Sequence, residues 1–243
     1  MSDLFYKEDD MERKIIAIGG GEIKNKTTLK IDEYIANLAK EHAGDKRANA
    51  LFIGTASHDS MPYFNSFRKT YTSVFDIKAE VALIVYGEMD IERISGKIDM
   101  ADCIYVGGGD TIFMLDKWRE VGIDRLLMKA YNDGKIICGL SAGAICWFKD
   151  MYTDYEIMRG QSSEYVLRKG LDVLDGAMCP HFNQREEDFT NALKKGDIQS
   201  AYCVENDCAL EFTDGKLSKV ISAGGKAYFI SNENGEIIKR ELL

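Results

Sequence analysis

Histidine is scarce in this chain, whose 243 residues include only His42, His58 and His181. A general base of the imidazole type therefore has three candidate positions, and a zinc site built from histidines has few ligands available. The HExxH motif of zinc peptidases is absent as well. We therefore expect a site that works without a metal and without a cofactor.

The chain also lacks features typical of proteins that bind nucleic acids or membranes. Its net charge is −9 and it contains no run of five basic residues, so it would repel a phosphate backbone. The longest nearly apolar stretch, Cys138 to Phe148, is too short to span a bilayer. We therefore expect neither nucleic acid nor membrane among its partners.

The six cysteines are scattered and form no CxxC pair. Their spacing is not that of a disulfide-stapled scaffold, which predicts reduced thiols and a cytoplasmic protein. Residues 1–13 are polar and have no apolar segment of the kind found in signal peptides. We interpret them as a lead-in to a single α/β domain over residues 14–243.

Short apolar strands alternate with amphipathic helices along the first part of the chain. The predicted strands begin at Lys14, Ala50, Ala79, Asp102 and Lys135. This alternation predicts a largely parallel sheet with helices on both faces. After about residue 200, short strands separated by Asn, Asp and Gly turns predict an antiparallel extension of the same domain.

The strongest chemical signal is the segment 139–144, Gly-Leu-Ser-Ala-Gly-Ala. It follows a predicted strand and precedes an apolar segment, 145–148, predicted to be helical. This is the setting of a nucleophile elbow, in which small neighbours allow a tight turn that exposes the hydroxyl of Ser141. The alternative is an ordinary crossover in which the serine only caps the helix.

A serine nucleophile requires a base, and His181 is the leading candidate. It follows Pro180 at the end of the short apolar strand 176–179, and the fixed φ of proline restricts the chain there. His58 is the rival, because it also follows a strand at the rim where α/β sheets place their sites. His42 lies on a helix face and is interpreted as structural.

The imidazole in turn needs a group that orients it and stabilises its charged form. Glu205 follows a short apolar strand, and Asp154, Glu156 and Asp207 are alternatives that spacing alone does not separate. The order serine, histidine, acid differs from that of the α/β-hydrolases. An ordinary esterase or lipase is therefore disfavoured.

A glycine loop, 107–109, precedes Asp110 and Thr111 at the end of another predicted strand. Its backbone N–H groups are suited to bind an anion and to complete an oxyanion hole with the N–H of Ala142. The same loop also reads as a tight turn in which Asp110 or Thr111 caps the next helix. The GxGxxG motif of dinucleotide-binding folds is absent both here and at 19–24.

Four motifs in this order make the chain similar to a known family: GGGDT at 107–111, GLSAGA at 139–144, PHF at 180–182 and VEND at 204–207. The chain resembles the peptidase E (aspartyl dipeptidase) and cyanophycinase family of serine peptidases over about residues 14–230. These proteins share a fold related to class I glutamine amidotransferases. The resemblance implies that fold, with Ser141 as nucleophile, His181 as base and Glu205 as third member of the triad.

The same resemblance implies oxyanion donors from the region of Gly109 and Asp110 and from Ala142. Arg185 is the nearest match to an arginine that binds the aspartyl side chain of peptidase E substrates. It is equally compatible with a solvated charge at the start of the predicted helix 186–193.

The sequence thus predicts a cytoplasmic serine hydrolase of small peptides, with Asp-X dipeptides as one substrate class. A glutaminase-like amide hydrolase is an alternative. Another is a non-catalytic module that binds a small anionic metabolite, with Ser141 only as a helix cap. A homodimer is left open.

Overall fold

The structure, a computed structural model, describes residues 12–86 and 90–243. The predicted lead-in 1–13 therefore lies almost wholly outside the described residues. The strands of the described part are β1 (Lys14–Ile18), β2 (Asn49–Ile53), β3 (Lys78–Ala82), β4 (Cys103–Val106), β5 (Ile136–Leu140), β6 (Phe148–Thr153), β7 (Val166–Lys169), β8 (Leu174–Cys179), β9 (Ser200–Val204), β10 (Cys208–Thr213), β11 (Lys216–Ser222), β12 (Ala227–Glu233) and β13 (Glu236–Leu242).

The helices alternate with the first strands, as the sequence pattern predicts. They are α1 (Leu29–Ala43), α2 (Met61–Ser73), α3 (Ile91–Met100), α4 (Thr111–Val121), α5 (Ile123–Asn132), α6 (Ala142–Ile145), α7 (Tyr155–Met158) and α8 (Phe182–Lys195). Within the described residues no helix is both long enough and apolar enough to cross a bilayer.

The first sheet has seven strands in the order β11-β10-β1-β5-β4-β2-β3. The five strands from β1 to β3 in this order run parallel to one another. Strands β10 and β11 join the β1 edge in antiparallel register. The predicted α/β class, with a parallel sheet and an antiparallel C-terminal part, is confirmed.

Strand β1 shows why these segments are continuously apolar. Ile16 and Ile18 pack in the core beneath α1 and α2, together with Phe67. Ile15 and Ala17 face the other side, where α3, α4 and α5 cover the sheet. A strand buried on both faces has no position for a solvated side chain.

The second sheet was not foreseen from the sequence. It has six strands in the order β13-β12-β9-β8-β6-β7. The apolar segment that follows Ser141 was predicted to be helical through Phe148, but only Ala142–Ile145 is helical and strand β6 starts at Phe148. Trp147 and Phe148 are fully buried, and aromatic residues suit a strand once partner surfaces cover them.

One core cluster contains residues from both sheets, among them Ile137 of β5 and Met178 of β8. This shared core supports the prediction of a single domain over 14–243, which stays a prediction. All six cysteines are buried and none forms a disulfide.

Candidate active site

The parallel strands of the first sheet end at a common rim, and a cavity of about 430 Å³ opens there. We call it the rim cavity. Its wall includes Ser141 after β5, Gly108 and Gly109 after β4, His181 after β8, and Tyr63 at the start of α2. Open α/β sheets place ligands at the carboxyl ends of their strands.

Ser141 occupies a strained turn between β5 and α6. Its φ of 53° and ψ of −109° lie outside the regions that ordinary residues favour. Hydrogen bonds hold the turn: the N–H of Ser141 donates to the Ile18 carbonyl at 2.9 Å, and the N–H of Ile145 donates to the Ser141 carbonyl at 2.9 Å. A Cβ at Gly139 would lie 2.0 Å from the Gly143 carbonyl oxygen, so this turn requires glycine. Such strain is typical of a nucleophile elbow.

His181 lies directly against the serine. The Nε2 atom of His181 is 2.8 Å from the hydroxyl oxygen of Ser141. The backbone of His181 is left-handed, with φ 51°, and its N–H donates to the Gly19 carbonyl at 2.9 Å. Burial lowers the pKa of His181 below its usual value, and the charge of Arg185 lowers it further. A neutral imidazole at neutral pH is the form that accepts a proton.

The group that orients His181 is Asn206, which is a correction to the prediction of Glu205. The Oδ1 atom of Asn206 lies 2.6 Å from Nδ1 of His181. Glu205, one residue earlier, accepts the backbone N–H of Lys226 through Oε2 at 2.9 Å. Because an amide oxygen only accepts, Nδ1 carries the proton and Nε2 is free to accept from Ser141.

The three alternative acids are engaged elsewhere. Asp154 pairs with Arg185 at 2.8 Å, Glu156 pairs with Arg168 at 2.7 Å, and Asp207 accepts from the Thr27 hydroxyl at 2.6 Å. Asn206 thus supplies a neutral acceptor where most serine peptidases use a carboxylate.

The other two histidines do not contact Ser141. The ring of His58 packs on the ring of Phe113 with centroids 4.1 Å apart. The Nδ1 atom of His42 lies 2.9 Å from Asp102. Of the three histidines, the structure brings only His181 to the serine.

Gly20 is a site residue that sequence reasoning missed. A Cβ placed on it would lie 2.1 Å from Oδ1 of Asn206 and 2.4 Å from Nδ1 of His181. Any side chain here would therefore displace the pair that sets the imidazole tautomer. The triple glycine at 19–21 was a visible signal, but its partners come from distant parts of the chain.

The three predicted oxyanion donors differ in whether their backbone N–H groups are free to bind a substrate. In the part of the chain that the structure describes, no group accepts the N–H of Ala142 or of Gly109. The N–H of Asp110 is occupied, because it donates to the Ala56 carbonyl at 2.8 Å. Asp110 is therefore corrected to a helix cap: its Oδ1 accepts the N–H of Phe113 at 2.9 Å.

Arg185, predicted to bind substrate, does not line the rim cavity. It is 4% exposed, and its guanidinium donates to Asp154 at 2.8 Å and stacks over the Tyr165 ring. Asp154 itself does line the cavity. Arg185 therefore orients an acid at the site, and its own charge is already paired.

Replacing Asn206 with aspartate is expected to raise the pKa of His181, because a carboxylate at Nδ1 stabilises the imidazolium. The acid limb of the pH–kcat/KM profile should move upward with it, since the neutral base would then be lost at higher pH. An NMR titration of the imidazole C–H resonances measures the shift directly.

The matched control is Asn37→Asp, which adds the same charge on the exposed face of α1. An unchanged pKa of His181 in the Asn206 variant, or an equal rise in both variants, would contradict the contact.

Comparison with known proteins places this geometry in a family. The chain matches peptidase family S51 over residues 15–220. The uncharacterised peptidase YgaJ of Bacillus subtilis (strain 168) is 31% identical over 231 residues, which cover 93% of this chain and 95% of that protein.

Two solved structures share the fold. A peptidase from an acI-B1 actinobacterium superposes with a TM-score of 0.72 at 15% identity, over 96% of this chain and 95% of that chain. A Listeria monocytogenes EGD-e protein, provisionally described as a peptidase E, gives a TM-score of 0.58 at 20% identity, over 96% and 100%. The chain belongs to peptidase family S51, and the predicted resemblance to the peptidase E-like peptidases is confirmed.

Proposed function

We propose that this chain is a serine peptidase that cleaves small peptides through an acyl-enzyme on Ser141. The observation that carries the proposal is the 2.8 Å contact between Nε2 of His181 and the hydroxyl of Ser141 in a strained elbow. Membership in family S51 supports a serine-type peptidase.

In the first step, Nε2 of His181 takes the proton of the Ser141 hydroxyl while the serine oxygen attacks the scissile carbonyl carbon. The negative charge moves to the carbonyl oxygen. The free N–H groups of Gly109 and Ala142 are the donors proposed to stabilise it.

Collapse of the tetrahedral intermediate breaks the C–N bond, and the imidazolium gives its proton to the leaving amine. Water then attacks the acyl carbon while His181 takes a proton from it; the bond between the acyl carbon and the Ser141 oxygen breaks, and the imidazolium returns the proton to that oxygen. Asn206 holds the tautomer needed in both halves of the reaction. It lacks the charge of a carboxylate, so the imidazolium is less stabilised than it would be beside an acid.

The size of the rim cavity and the position of Arg185 both restrict the choice of substrate class. A cavity of about 430 Å³ is of the size that holds small ligands. Arg185 pairs with Asp154 and does not line the cavity. The arginine predicted to bind an aspartyl side chain is therefore not available to the substrate there. We therefore propose small peptides as the substrate class, with Asp-X dipeptides as one member to be tested.

The test is a panel of α-aspartyl, β-aspartyl and alanyl dipeptides together with glutamine, with release of the free amine as the readout. We expect hydrolysis of at least one peptide by the wild type and no detectable hydrolysis by Ser141→Ala. Release of ammonia from glutamine alone would indicate an amide hydrolase instead. No turnover of any compound, with tight binding of small anions, would favour the non-catalytic module.

A further inference from the structure

A second cavity, of about 560 Å³, adjoins the rim cavity. The two cavities share Ile23, Lys24 and Ser66, so they lie side by side. The charged residues that line the second cavity are Lys24, Lys26 and Lys69, and none of its described lining residues is acidic. We call this second cavity the lysine groove.

No acidic residue of the groove offsets the charge of the three lysines. Among the described residues, none of them forms an ion pair. The chain carries 40 acidic residues against 31 basic ones, so an acid-free groove with three cations departs from its general character. Positive charge concentrated in a concave surface attracts anions.

A short stretch of chain connects the catalytic imidazole with the lysine groove. Gly20 packs against the imidazole of His181, and the chain continues from there to Ile23 and Lys24 at the mouth of the groove. In the proposed mechanism this imidazole protonates the leaving amine, so the amine emerges beside it. A peptide that extends from that amine along residues 21–24, which line the rim cavity, would reach the lysines.

We propose that the lysine groove binds carboxylates of the leaving part of an acidic peptide, so that the enzyme prefers substrates with acidic residues after the scissile bond. This inference rests on the proposed function. A flexible ammonium group binds a carboxylate as a point charge, and three of them accept one or two carboxylates without demanding one geometry. Acidic peptides would also be steered to the site in spite of the overall negative charge.

The test measures binding to Ser141→Ala, which cannot turn over the peptide by the proposed route. Tripeptides Ala-Glu-Glu and Asp-Glu-Glu are compared by calorimetry with Ala-Gln-Gln and Asp-Gln-Gln, which have the same shape without the carboxylates. We expect at least one Glu-Glu peptide to bind about tenfold more tightly than its Gln-Gln match at low salt. The preference should shrink as ionic strength rises.

The preference should fall to about twofold in the variant that also carries Lys26→Ala and Lys69→Ala. The matched control carries Lys40→Ala and Lys46→Ala, which remove the same charge from exposed positions outside the groove. Equal affinities for the Glu and Gln peptides, an equal loss in the control, or no binding of any peptide would overturn the inference.

Failure of this inference is distinguishable from failure of the proposed function. Peptide hydrolysis that depends on Ser141 without any acidic preference would overturn only the role of the groove. Selective binding of Glu-Glu peptides without turnover by the wild type would support the groove and contradict the peptidase proposal.

Discussion

Ser141→Ala is expected to lower kcat/KM for peptide hydrolysis by about 10⁴-fold to 10⁶-fold, because the oxygen that attacks the substrate is lost. His181→Ala should produce a loss of similar size, since the serine hydroxyl then has no base 2.8 Å away. Combining the two changes should add little, because the two side chains act as one unit.

His58→Ala is the control for the base, because its ring packs on Phe113 and does not contact the serine. We expect it to retain most of the activity. A large loss in His58→Ala with little loss in His181→Ala, measured by steady-state kinetics on the same peptide, would contradict the assignment of the base.

Gly20→Ala is expected to lower kcat/KM by about 100-fold or more, since displacement of a catalytic group by about 1 Å has an effect of that size. The added methyl group would lie 2.1 Å from Asn206 and 2.4 Å from His181. The imidazole must move, or lose the partner that fixes its tautomer. We expect the loss mainly in kcat, because Gly20 itself does not line the rim cavity.

The matched control is Gly96→Ala within α3, where an added Cβ meets nothing within 4 Å. It should retain activity and fold normally. Thermal unfolding measured on both variants separates a displaced imidazole from a general loss of stability. Full activity in folded Gly20→Ala would show that the imidazole tolerates displacement, against the geometry described.

The sequence predicted the first sheet well because its signal is local. The four inner parallel strands, β1, β2, β4 and β5, are short and largely apolar runs buried on both faces, and each intervening helix has its own apolar stripe. The second sheet was missed because the short apolar segment 145–148 is compatible with either a helix or a strand, and strand β6 begins within it at Phe148. Trp147 and Phe148 are buried in the core that the two sheets share, and this burial favours a strand over a helix. The residues that bury them come from distant parts of the chain, so the local sequence does not reveal the contact.

The candidate site likewise contains some residues that the local sequence identifies and others that depend on contacts between distant segments. Ser141 and His181 stand out because small neighbours and a preceding proline are readable along the chain. The choice between Glu205 and Asn206 depends on which side chain of a tight turn points inward, and spacing does not carry that information. Gly20 needs to be glycine because segments around residues 181 and 206 approach it in space.

The lysine groove is equally invisible in the sequence. Lys24 and Lys26 come from the turn before α1, and Lys69 comes from α2. The sequence contains no basic run, so the concentration of charge arises only when these two segments pack together.

The most direct test of the central claim, that Ser141 is an activated nucleophile, is covalent labelling with a fluorophosphonate probe followed by peptide mass spectrometry. We expect one phosphonate per chain on the peptide that contains Ser141, no adduct in Ser141→Ala, and much slower labelling in His181→Ala. Equal labelling of the wild type and Ser141→Ala, or an adduct on another residue of the wild type, would contradict the account.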